Sequence, residues 1–267
     1  MYKRQGDGKA LQSGTSHNLG QNFAKAFEIK YLDPAGALQH CWTTSWGLST
    51  RIIGAIIMVH GDDQGLILPP KLAPIQAVIV PIWKNDAERA ATLGAAAAVR
   101  AALLAAGIRT KTDEREGASP GFKFNDWEMR GVPLRIEIGP KDVSNNAVVL
   151  ARRDKPGREG KSPVPQAGIA EAVKEALVVV QKSLYDRALA FREAHTREPA
   201  NFEEFKQAVE TGFARAFWCG ASDCEEKIKE ATKATMRCIP LEQSGGSGAC
   251  IFCGAASTER AIFAKAY

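Results

Sequence analysis

The sequence predicts an α/β protein whose central layer domain is followed by a small cysteine-bearing module. Short β-branched runs alternate with long helical patterns between residues 74 and 195, which is typical of an α/β layer. Prolines 69, 70 and 74 mark a boundary before that region, and two close cysteine pairs lie after it. A chain of 267 residues can hold such a multi-domain arrangement. We therefore expect three parts: 1–73, 74–195 and 196–267.

The elements follow from periodicity and from stop signals. An apolar stretch at 52–59 predicts a buried helix in the first part. Strands are expected at AVIVPIW (77–83), IRTKTDE (108–114), PLRIEIG (133–139) and AVVLARRD (147–154). Helices are expected over 86–106 and 168–195 in the middle part, and 120–130 is expected to be a turn followed by a short helical stretch. The last part is expected to be helical around 201–217.

Four cysteines form two close pairs, Cys219 with Cys224 and Cys250 with Cys253. This spacing suits a tetrahedral Zn²⁺ that closes a small domain, and four sulfur ligands leave no position for water or substrate. Disulfides and ordinary thiols are the alternatives. The opening MYKRQGDGKALQSG lacks a signal-peptide pattern, so we expect an intracellular protein, where disulfides are rare. The other two cysteines, Cys41 and Cys238, are expected to be small buried apolar residues.

The net charge of +5 is carried upstream of residue 196, because residues 196–267 hold 9 basic and 10 acidic side chains. A basic cluster at 152–161 is either a solvated loop or a phosphate-binding surface. The longest apolar stretches, at 52–59 and 101–106, are too short to cross a membrane.

Two segments of the first part could carry chemistry. LQSGTSHNLGQNF (11–23) sets small polar side chains on a glycine-permissive backbone, in which His17 is either a structural hydrogen-bonder or a ligand contact. WGLSTRIIGAIIMVH (46–60) has Ser49 and Thr50 in capping positions before Arg51. A guanidinium at a helix start suits a phosphate or a flat base, and a surface or salt-bridged arginine is the alternative.

Three stretches together resemble the C-terminal half of prolyl-tRNA synthetases of the archaeal/eukaryote-like type. They are GTSHNLGQNFAKAF, SWGLSTRIIGAIIMVHGDDQGLILPPKLAP and SPGFKFNDWEMRGVPLRIEIGPKDV. The resemblance implies that 1–73 is a partial class II catalytic domain, an antiparallel sheet remnant. It further implies that 74–195 is an α/β anticodon-binding domain and 196–267 an α+β zinc-binding domain. The four paired cysteines match the zinc ligands of the family, and Tyr267 matches its terminal tyrosine.

The same resemblance assigns roles in the first part. Arg51 corresponds to the motif 3 arginine that contacts ATP, which is used with Mg²⁺, and Gln12, Thr15 and Ser49 correspond to positions lining the ATP site. His17 corresponds to a position at the proline pocket, with Trp46 near it. Arg51 and His17 are thus the expected catalytic residues.

The segment DEREGASPGFKFNDWEMRG (113–131) corresponds to the part that reads the anticodon guanines. Single-stranded anticodon bases can be paired by carboxylates, amides and lysines. The expected contacts to tRNA(Pro) are Lys123, Asn125, Asp126, Glu128, Arg130 and Arg152.

Motifs 1 and 2 of class II synthetases do not occur in this sequence, so we expect it to be a fragment or a truncated copy. The whole enzyme would be a cytoplasmic homodimer that activates L-proline with ATP and transfers it to tRNA(Pro). The chain alone is expected not to form prolyl-adenylate. The alternatives are a non-catalytic tRNA-binding protein with a structural zinc module, and a structural or redox module that uses the cysteines alone. The tail, 261–267, either packs locally or reaches back towards the catalytic domain.

Overall fold

The computed structural model describes residues 2–4, 10–12 and 14–266, and for residues 2–4 it describes the backbone alone. The chain forms two compact units. One is Val59–Phe191, and the other joins Met1–Met58 to Arg192–Tyr267. The division at 73 and 195 expected from the sequence stays a prediction.

The first segment consists of short antiparallel ladders and two helices. Strand β1 pairs with β2, β3 with β6, and β4 with β5. The bounds are β1 (Tyr2–Arg4), β2 (Ala10–Gln12), β3 (Thr15–Gly20), α1 (Asn22–Ala26), β4 (Lys30–Leu32), β5 (Leu38–His40), β6 (Thr43–Gly47) and α2 (Arg51–His60). The helix expected at 52–59 is present, but the prediction that it is buried is wrong. Only Ala55 of α2 is buried, while Ile53 and Ile57 are exposed, because no described element packs against those side chains.

The middle unit is built on a five-stranded sheet of order β11-β10-β9-β7-β8, in which β7 runs parallel to β8 and β9. The predicted elements are confirmed, with shorter strands than expected. The bounds are β7 (Ala77–Pro81), α3 (Asp86–Ala105), β8 (Thr110–Thr112), α4 (Pro120–Met129), β9 (Leu134–Ile138), α5 (Pro140–Ser144), β10 (Ala147–Arg152), a 3₁₀ turn (Gly157–Gly160), β11 (Lys161–Pro165) and α6 (Ile169–Ala194).

Side-chain alternation along β7 gives this sheet two covered faces. Ile79 belongs to the larger core, which also contains side chains of α3 and α6, while Val78 and Val80 pack with Trp127 of α4 on the other face. Helices α3 and α4 each begin with a side-chain cap. The Asn85 side chain accepts from Glu88 N before α3, and Ser119 Oγ accepts from Phe122 N before α4.

The last segment forms a four-stranded sheet of order β12-β13-β17-β14 against two helices. Its core centres on Phe205, Ile228 and Phe263, all fully buried. The bounds are β12 (Thr196–Arg197), α7 (Phe202–Thr211), β13 (Phe213–Phe217), α8 (Ser222–Thr232), β14 (Ala234–Cys238), β15 (Gly248–Ala249), β16 (Ala256–Ser257) and β17 (Arg260–Lys265).

The helix expected over 201–217 is wrong beyond Thr211, where α7 ends and β13 follows within two residues. Gly212 separates the two elements. A Cβ at this glycine would lie 2.1 Å from the carbonyl oxygen of His195, so the backbone can pass there only without a side chain. The run FARAF after it buries Phe213, Ala214 and Ala216, which suits a strand packed on both faces.

None of the helices in the described ranges combines the length and the hydropathy that a membrane crossing requires.

Candidate functional site

The four residues expected to line an ATP site lie together. Gln12 ends β2, Thr15 begins β3, Ser49 lies in the loop after β6, and Arg51 is the first residue of α2. All four line one cavity of about 290 Å³, together with two glycines and Leu48. Elements that are distant in sequence thus bring two hydroxyls, an amide and a guanidinium to one concave surface.

The wall of this cavity follows from the pairing of β3 with β6. Thr15 pairs with Gly47, which has no side chain, so the space next to the Thr15 hydroxyl is not filled from the opposite strand. Ser49 Oγ accepts a hydrogen bond from the backbone N–H of Arg51 at 3.4 Å. The N–H groups of Ile52 and Ile53 donate to the carbonyl oxygens of Ser49 and Thr50, so the exposed Arg51 guanidinium is the group at this helix start that can receive an anion.

His17 and Trp46 lie on the same ladder but on opposite faces. His17 pairs with Ser45, whereas Trp46 pairs with Ser16. Since side chains directly opposite each other share a face and neighbours along a strand alternate, His17 shares the face of Thr15 and Trp46 does not. Within this ladder, His17 is thus the better placed of the two to act with the cavity residues.

Lys123, one of the six residues expected to read the anticodon, is buried on α4. Its Nζ donates to the backbone oxygen of Asp113 at 3.2 Å and lies 5.1 Å from the ring centroid of Trp83. Burial lowers the pKa of Lys123. A lysine held between an aromatic ring and a carbonyl has few directions left in which its ammonium group can donate. Such a lysine can therefore distinguish between ligands by the position of their acceptor atoms.

The other five residues divide between ion pairs and a second cavity. Asp126 pairs with Arg115 at 2.8 Å and with Arg130 at 3.1 Å. Glu128 and Arg152 line a cavity of about 170 Å³ near the C-terminal end of α4. These five residues therefore do not form one site. Asn125 is exposed.

The basic cluster at 152–161 is largely ion-paired. Arg152 binds Asp154 at 2.7 Å, and the buried Arg153 binds Asp62 at 2.5 Å. Lys161 pairs with Glu137 at 2.8 Å. Much of the local positive charge is thus offset by neighbouring carboxylates.

A larger cavity, of about 550 Å³, was not expected from the sequence. It lies where β7 and β8 end, and Trp83, Arg89, Arg115, Ser119 and Lys123 line it. Ligands of open α/β sheets bind at the carboxyl ends of parallel strands. The sequence did contain a signal for this cavity, because Trp83 is the last residue of the run AVIVPIW and Arg115 closely follows β8. The Trp83 ring has Arg89 at 5.9 Å and Lys123 at 5.1 Å.

The buried carboxylate of Asp113 holds two side chains next to this cavity in position. Its carboxylate accepts from Arg115 Nη2 and from Trp127 Nε1, each at 2.7 Å. Burial raises the pKa of Asp113, but the hydrogen bonds from Arg115 and Trp127 outweigh it and lower the pKa to about 2. Asp113 is therefore a buried anion that fixes the arginine at the rim.

The four paired cysteines converge. Their sulfur atoms all lie within 4.8 Å of one another, and the Sγ atoms of Cys219 and Cys253 are 3.8 Å apart. Cys219 follows β13, Cys224 lies in α8, and the hairpin of β15 and β16 carries Cys250 and Cys253. All six cysteines of the chain are free, and Cys41 and Cys238 are half-buried.

The second pair forms a tight turn, C-I-F-C-G, that ends on a glycine. Gly254 has φ +76°, a conformation that favours glycine. Burial raises the pKa of Cys250, but backbone hydrogen bonds from Cys253 and Phe252 outweigh it and lower the pKa to about 7. Burial, with a hydrogen bond to Cys219, raises the pKa of Cys224 to about 12. Such backbone donors are what a metal-bound thiolate uses in its outer shell.

The last described residues lie beside the strand that carries Gln12 to its cavity. Ala266 forms a parallel bridge with Ala10, two residues before Gln12. Ala10 also packs with Phe213 and Ala264 in a small apolar cluster. Tyr267, which matches the terminal tyrosine of the family, lies outside the described residues.

Two family models match the chain. Residues 76–176 match the model described as "Anticodon binding domain", and residues 202–267 match "Prolyl-tRNA synthetase, C-terminal".

Relatives in other organisms agree with these matches. The chain is 56% identical over 261 residues to a proline–tRNA ligase of Chloroflexus aurantiacus, covering 98% of this chain and 54% of the relative. It is 52% identical to a chloroplastic/mitochondrial proline–tRNA ligase of Arabidopsis thaliana, with 98% and 49% covered. A crystal structure of prolyl-tRNA synthetase from Cryptosporidium parvum with L-proline and AMP superposes with a TM-score of 0.89 at 34% identity, covering 97% and 56%.

The chain thus spans about half the length of the curated relatives that it matches. Sequence and fold agree along nearly all of its 267 residues, and they include both domains that the family models describe. Over nearly its whole length the chain is thus similar to about half of a prolyl-tRNA synthetase.

Proposed function

We propose that this chain is part of a proline–tRNA ligase, which activates L-proline with ATP and transfers the prolyl group to tRNA(Pro). One observation carries the proposal: Gln12, Thr15, Ser49 and Arg51 line a single cavity. A relative of similar fold was crystallised with L-proline and AMP, the two groups of the adenylate. A non-catalytic RNA-binding protein would have no need of this cavity.

In this proposal Arg51 binds ATP, as the resemblance to motif 3 implies. Its guanidinium would stabilise negative charge on a phosphate, while Thr15 and Ser49 orient the nucleotide. Carboxylates are absent from the described lining of the cavity, so Mg²⁺ would enter with the ATP phosphates. His17, on the face of Thr15, would contact the proline. Trp46, on the opposite face of the ladder, would shape the pocket from behind.

The middle unit would bind the anticodon. The cavity beneath Trp83 offers an aromatic face, two arginines and Lys123, a combination that suits a splayed base and its phosphate. Asn125 at the surface and Arg130 at the end of α4 would extend this contact. Glu128 and Arg152, at the smaller cavity, would meet a neighbouring nucleotide. Asp126 would act by holding Arg115 and Arg130 in position.

The four clustered cysteines would hold a structural Zn²⁺. With Zn–S bonds of about 2.3 Å, neighbouring sulfurs of a tetrahedron lie about 3.8 Å apart. The Cys219–Cys253 separation of 3.8 Å fits that edge. When bound, zinc would cross-link β13, α8 and the β15–β16 hairpin and so add folding free energy to the last segment.

Metal analysis tests this part of the proposal. We expect about one zinc per chain by mass spectrometry, lost in Cys219→Ser and kept in Cys238→Ser, the control outside the cluster. Four thiols should also become reactive only after chelation. A zinc-free protein with four freely reactive cluster thiols in its native state would contradict the zinc site.

The chain alone is proposed to be inactive in adenylation, because the sequence lacks motifs 1 and 2. A homodimeric and cytoplasmic whole enzyme, as the resemblance implies, belongs to the same proposal.

A hybrid enzyme tests the function. This chain would replace the matching 261 residues of the C. aurantiacus relative, which restores a full-length ligase. We expect proline-dependent pyrophosphate exchange in the hybrid and none above background with the chain alone. Arg51→Ala should lower kcat/KM for ATP by about 100-fold, the cost of losing one charge-stabilising donor. Arg100→Ala, an exposed arginine on α3, is the control and should change nothing.

The tRNA site is tested in the same hybrid. Trp83→Ala should raise KM for tRNA about 10-fold and leave pyrophosphate exchange unchanged, since stacking on one base contributes about 1–3 kcal/mol. A folded hybrid without exchange activity, or an Arg51→Ala variant as active as the parent, would refute the assignment.

A further inference from the structure

Arg153 is a buried arginine that directly follows strand β10. Its side chain is only 2% exposed, and its backbone N–H donates to the carbonyl oxygen of Pro133 at 3.0 Å, just before β9. A buried guanidinium is strongly destabilising unless its N–H groups are paired. The partners of Arg153 therefore show which parts of the middle unit it holds together.

The guanidinium of Arg153 joins two segments that are distant in sequence. Its Nη1 and Nη2 donate to the two carboxylate oxygens of Asp62, at 2.8 and 2.5 Å. Its Nε donates to the backbone oxygen of Glu128, in the last turn of α4, at 3.0 Å. Two parallel bonds to a carboxylate fix the orientation of an arginine. One side chain thus connects the turn after α2 to the end of α4.

Asp62 is itself fixed by the turn in which it lies. Its Oδ1 also accepts from the backbone N–H of Gln64 at 2.9 Å, and its backbone N–H and carbonyl oxygen both bond to Gly65 at 3.0 Å. The hydrogen bonds from Arg153 lower the pKa of Asp62, so the carboxylate is charged at neutral pH. Both members of the ion pair are therefore held in place by their own backbones.

The two backbones are also in direct contact. The N–H of Leu66 donates to Met129 O, and the N–H of Leu68 donates to Gly131 O, each at 3.1 Å. A Cβ at Gly65 would lie 2.5 Å from Met129 Cα, and a Cβ at Gly131 would lie 2.6 Å from Leu66 Cβ. The turn after α2 and the end of α4 can therefore approach each other in this way only at glycines.

This contact lies at the end of α4 that carries two of the expected tRNA contacts. Glu128 and Arg130 stand on either side of Met129. Gln64, Glu128 and Arg153 line the same cavity, so the turn after α2 contributes to its wall. Yet this turn precedes residues 76–176, which match the model of an anticodon-binding domain.

We propose that Asp62 and Arg153 are positioning residues for tRNA recognition. Their ion pair fixes the last turn of α4 and so sets where Glu128 and Arg130 meet the anticodon. The role in recognition rests on the proposed function, whereas the connection itself rests on contacts within Val59–Phe191. An ion pair with only a structural role would leave the selectivity of a folded variant unchanged.

The test is binding of this full chain to two tRNA(Pro) transcripts, one with its own anticodon and one with the anticodon guanines replaced by adenines. We expect the parent chain to prefer the first by about 10-fold or more, the effect of at least one base contact. In Asp62→Asn the preference should fall by about 5-fold or more, because the last turn of α4 is no longer held against the correct bases.

A milder variant and a control accompany Asp62→Asn. Arg153→Lys keeps the buried charge but loses the planar fork, so it should fold and still lose part of the preference. The double variant should lose no more than the weaker-binding single variant, because both substitutions act through one contact. Asp186→Asn removes an aspartate from an ion pair on α6 and should bind both transcripts as the parent does. Circular dichroism verifies the fold of each variant.

Amide hydrogen exchange gives a readout that needs no tRNA. Residues 126–131 should exchange faster in Asp62→Asn and in Arg153→Lys, but not in Asp186→Asn. Folded Asp62→Asn and Arg153→Lys variants that keep the preference of the parent overturn the proposal, whether or not their exchange is faster. A parent chain that binds both transcripts equally refutes the proposed function instead, and exchange at 126–131 then decides alone whether the ion pair holds the end of α4.

Discussion

At the scale of single residues, Asp113 holds Arg115 in position at the larger cavity, although Asp113 itself does not line that cavity. Its pKa of about 2 lies below its usual 3.8, because the bonds from Arg115 and Trp127 outweigh the effect of burial. The ionised carboxylate therefore stabilises the fold fully above pH 3.8. The contribution is lost as pH falls from there through about 2.

Asp113→Asn should lower the free energy of unfolding by about 2 kcal/mol at neutral pH, the equivalent of this pKa difference. The fall in stability of the parent protein between pH 4 and pH 2 should be correspondingly smaller in the variant. Urea unfolding at several pH values measures both. Glu114→Gln, one position along and exposed, is the control, and equal losses in the two variants would contradict the role of Asp113.

The sequence predicted residues well where chemistry is local and poorly where it depends on packing. Cysteine spacing predicted the Cys219–Cys253 cluster, since few arrangements of two close pairs suit a small domain. The residues proposed to bind ATP came from a family resemblance, and they line one cavity. The roles of Trp83 and Asp113 were missed, because they depend on how β7, β8 and α4 pack together, which no short motif records.

At the scale of elements, the predicted bounds of helices agree with the structure at some helix ends and not at others. Asn85 and Ser119 cap α3 and α4, a signal that the sequence offers at both helix starts although the prediction did not use it. The end of α7 was not, because FARAF contains apolar residues that suit either a helix or a strand. The close approach of Gly212 to His195 decides between them.

The end of α8 offers a stability test. Its C-cap residue, Lys233, has φ +62°, a left-handed conformation in which a side chain is strained. Lys233→Gly should therefore raise the free energy of unfolding by about 0.5–1 kcal/mol. Chemical denaturation checks the sign. Lys227→Gly, inside the same helix, should instead destabilise by about 1 kcal/mol, and stabilisation by both would show that strain at Lys233 is not the cause.

At the scale of the whole molecule, the two compact units have different sources of stability. Val59–Phe191 contains the larger core between its sheet and helices. The core of the last segment includes Cys224 and Cys250, so the proposed zinc ligands are part of its packing.

Chelation should accordingly affect the units unequally. We expect a strong chelator to lower the melting temperature of the last segment by about 10 °C or more, the effect of losing a few kcal/mol in a domain of this size. The unfolding of Val59–Phe191 should stay unchanged. Calorimetry combined with amide hydrogen exchange distinguishes the two transitions, and a Cys238→Ser variant should behave as the parent. A uniform loss of protection across both units would contradict separate stabilisation.

One loop of the last segment has a practical consequence. Residues 241–247 are exposed, Leu241 fully so, and the side chain of Gln243 anchors the loop by bonding to Pro240 and Arg260. The stretch beyond this anchor, Ser244–Ser247, joins β14 to the hairpin of the second cysteine pair without entering a core. Ser247 and Cys219 line one cavity, so a fluorophore attached to this stretch would report on changes around the four clustered cysteines as they occur.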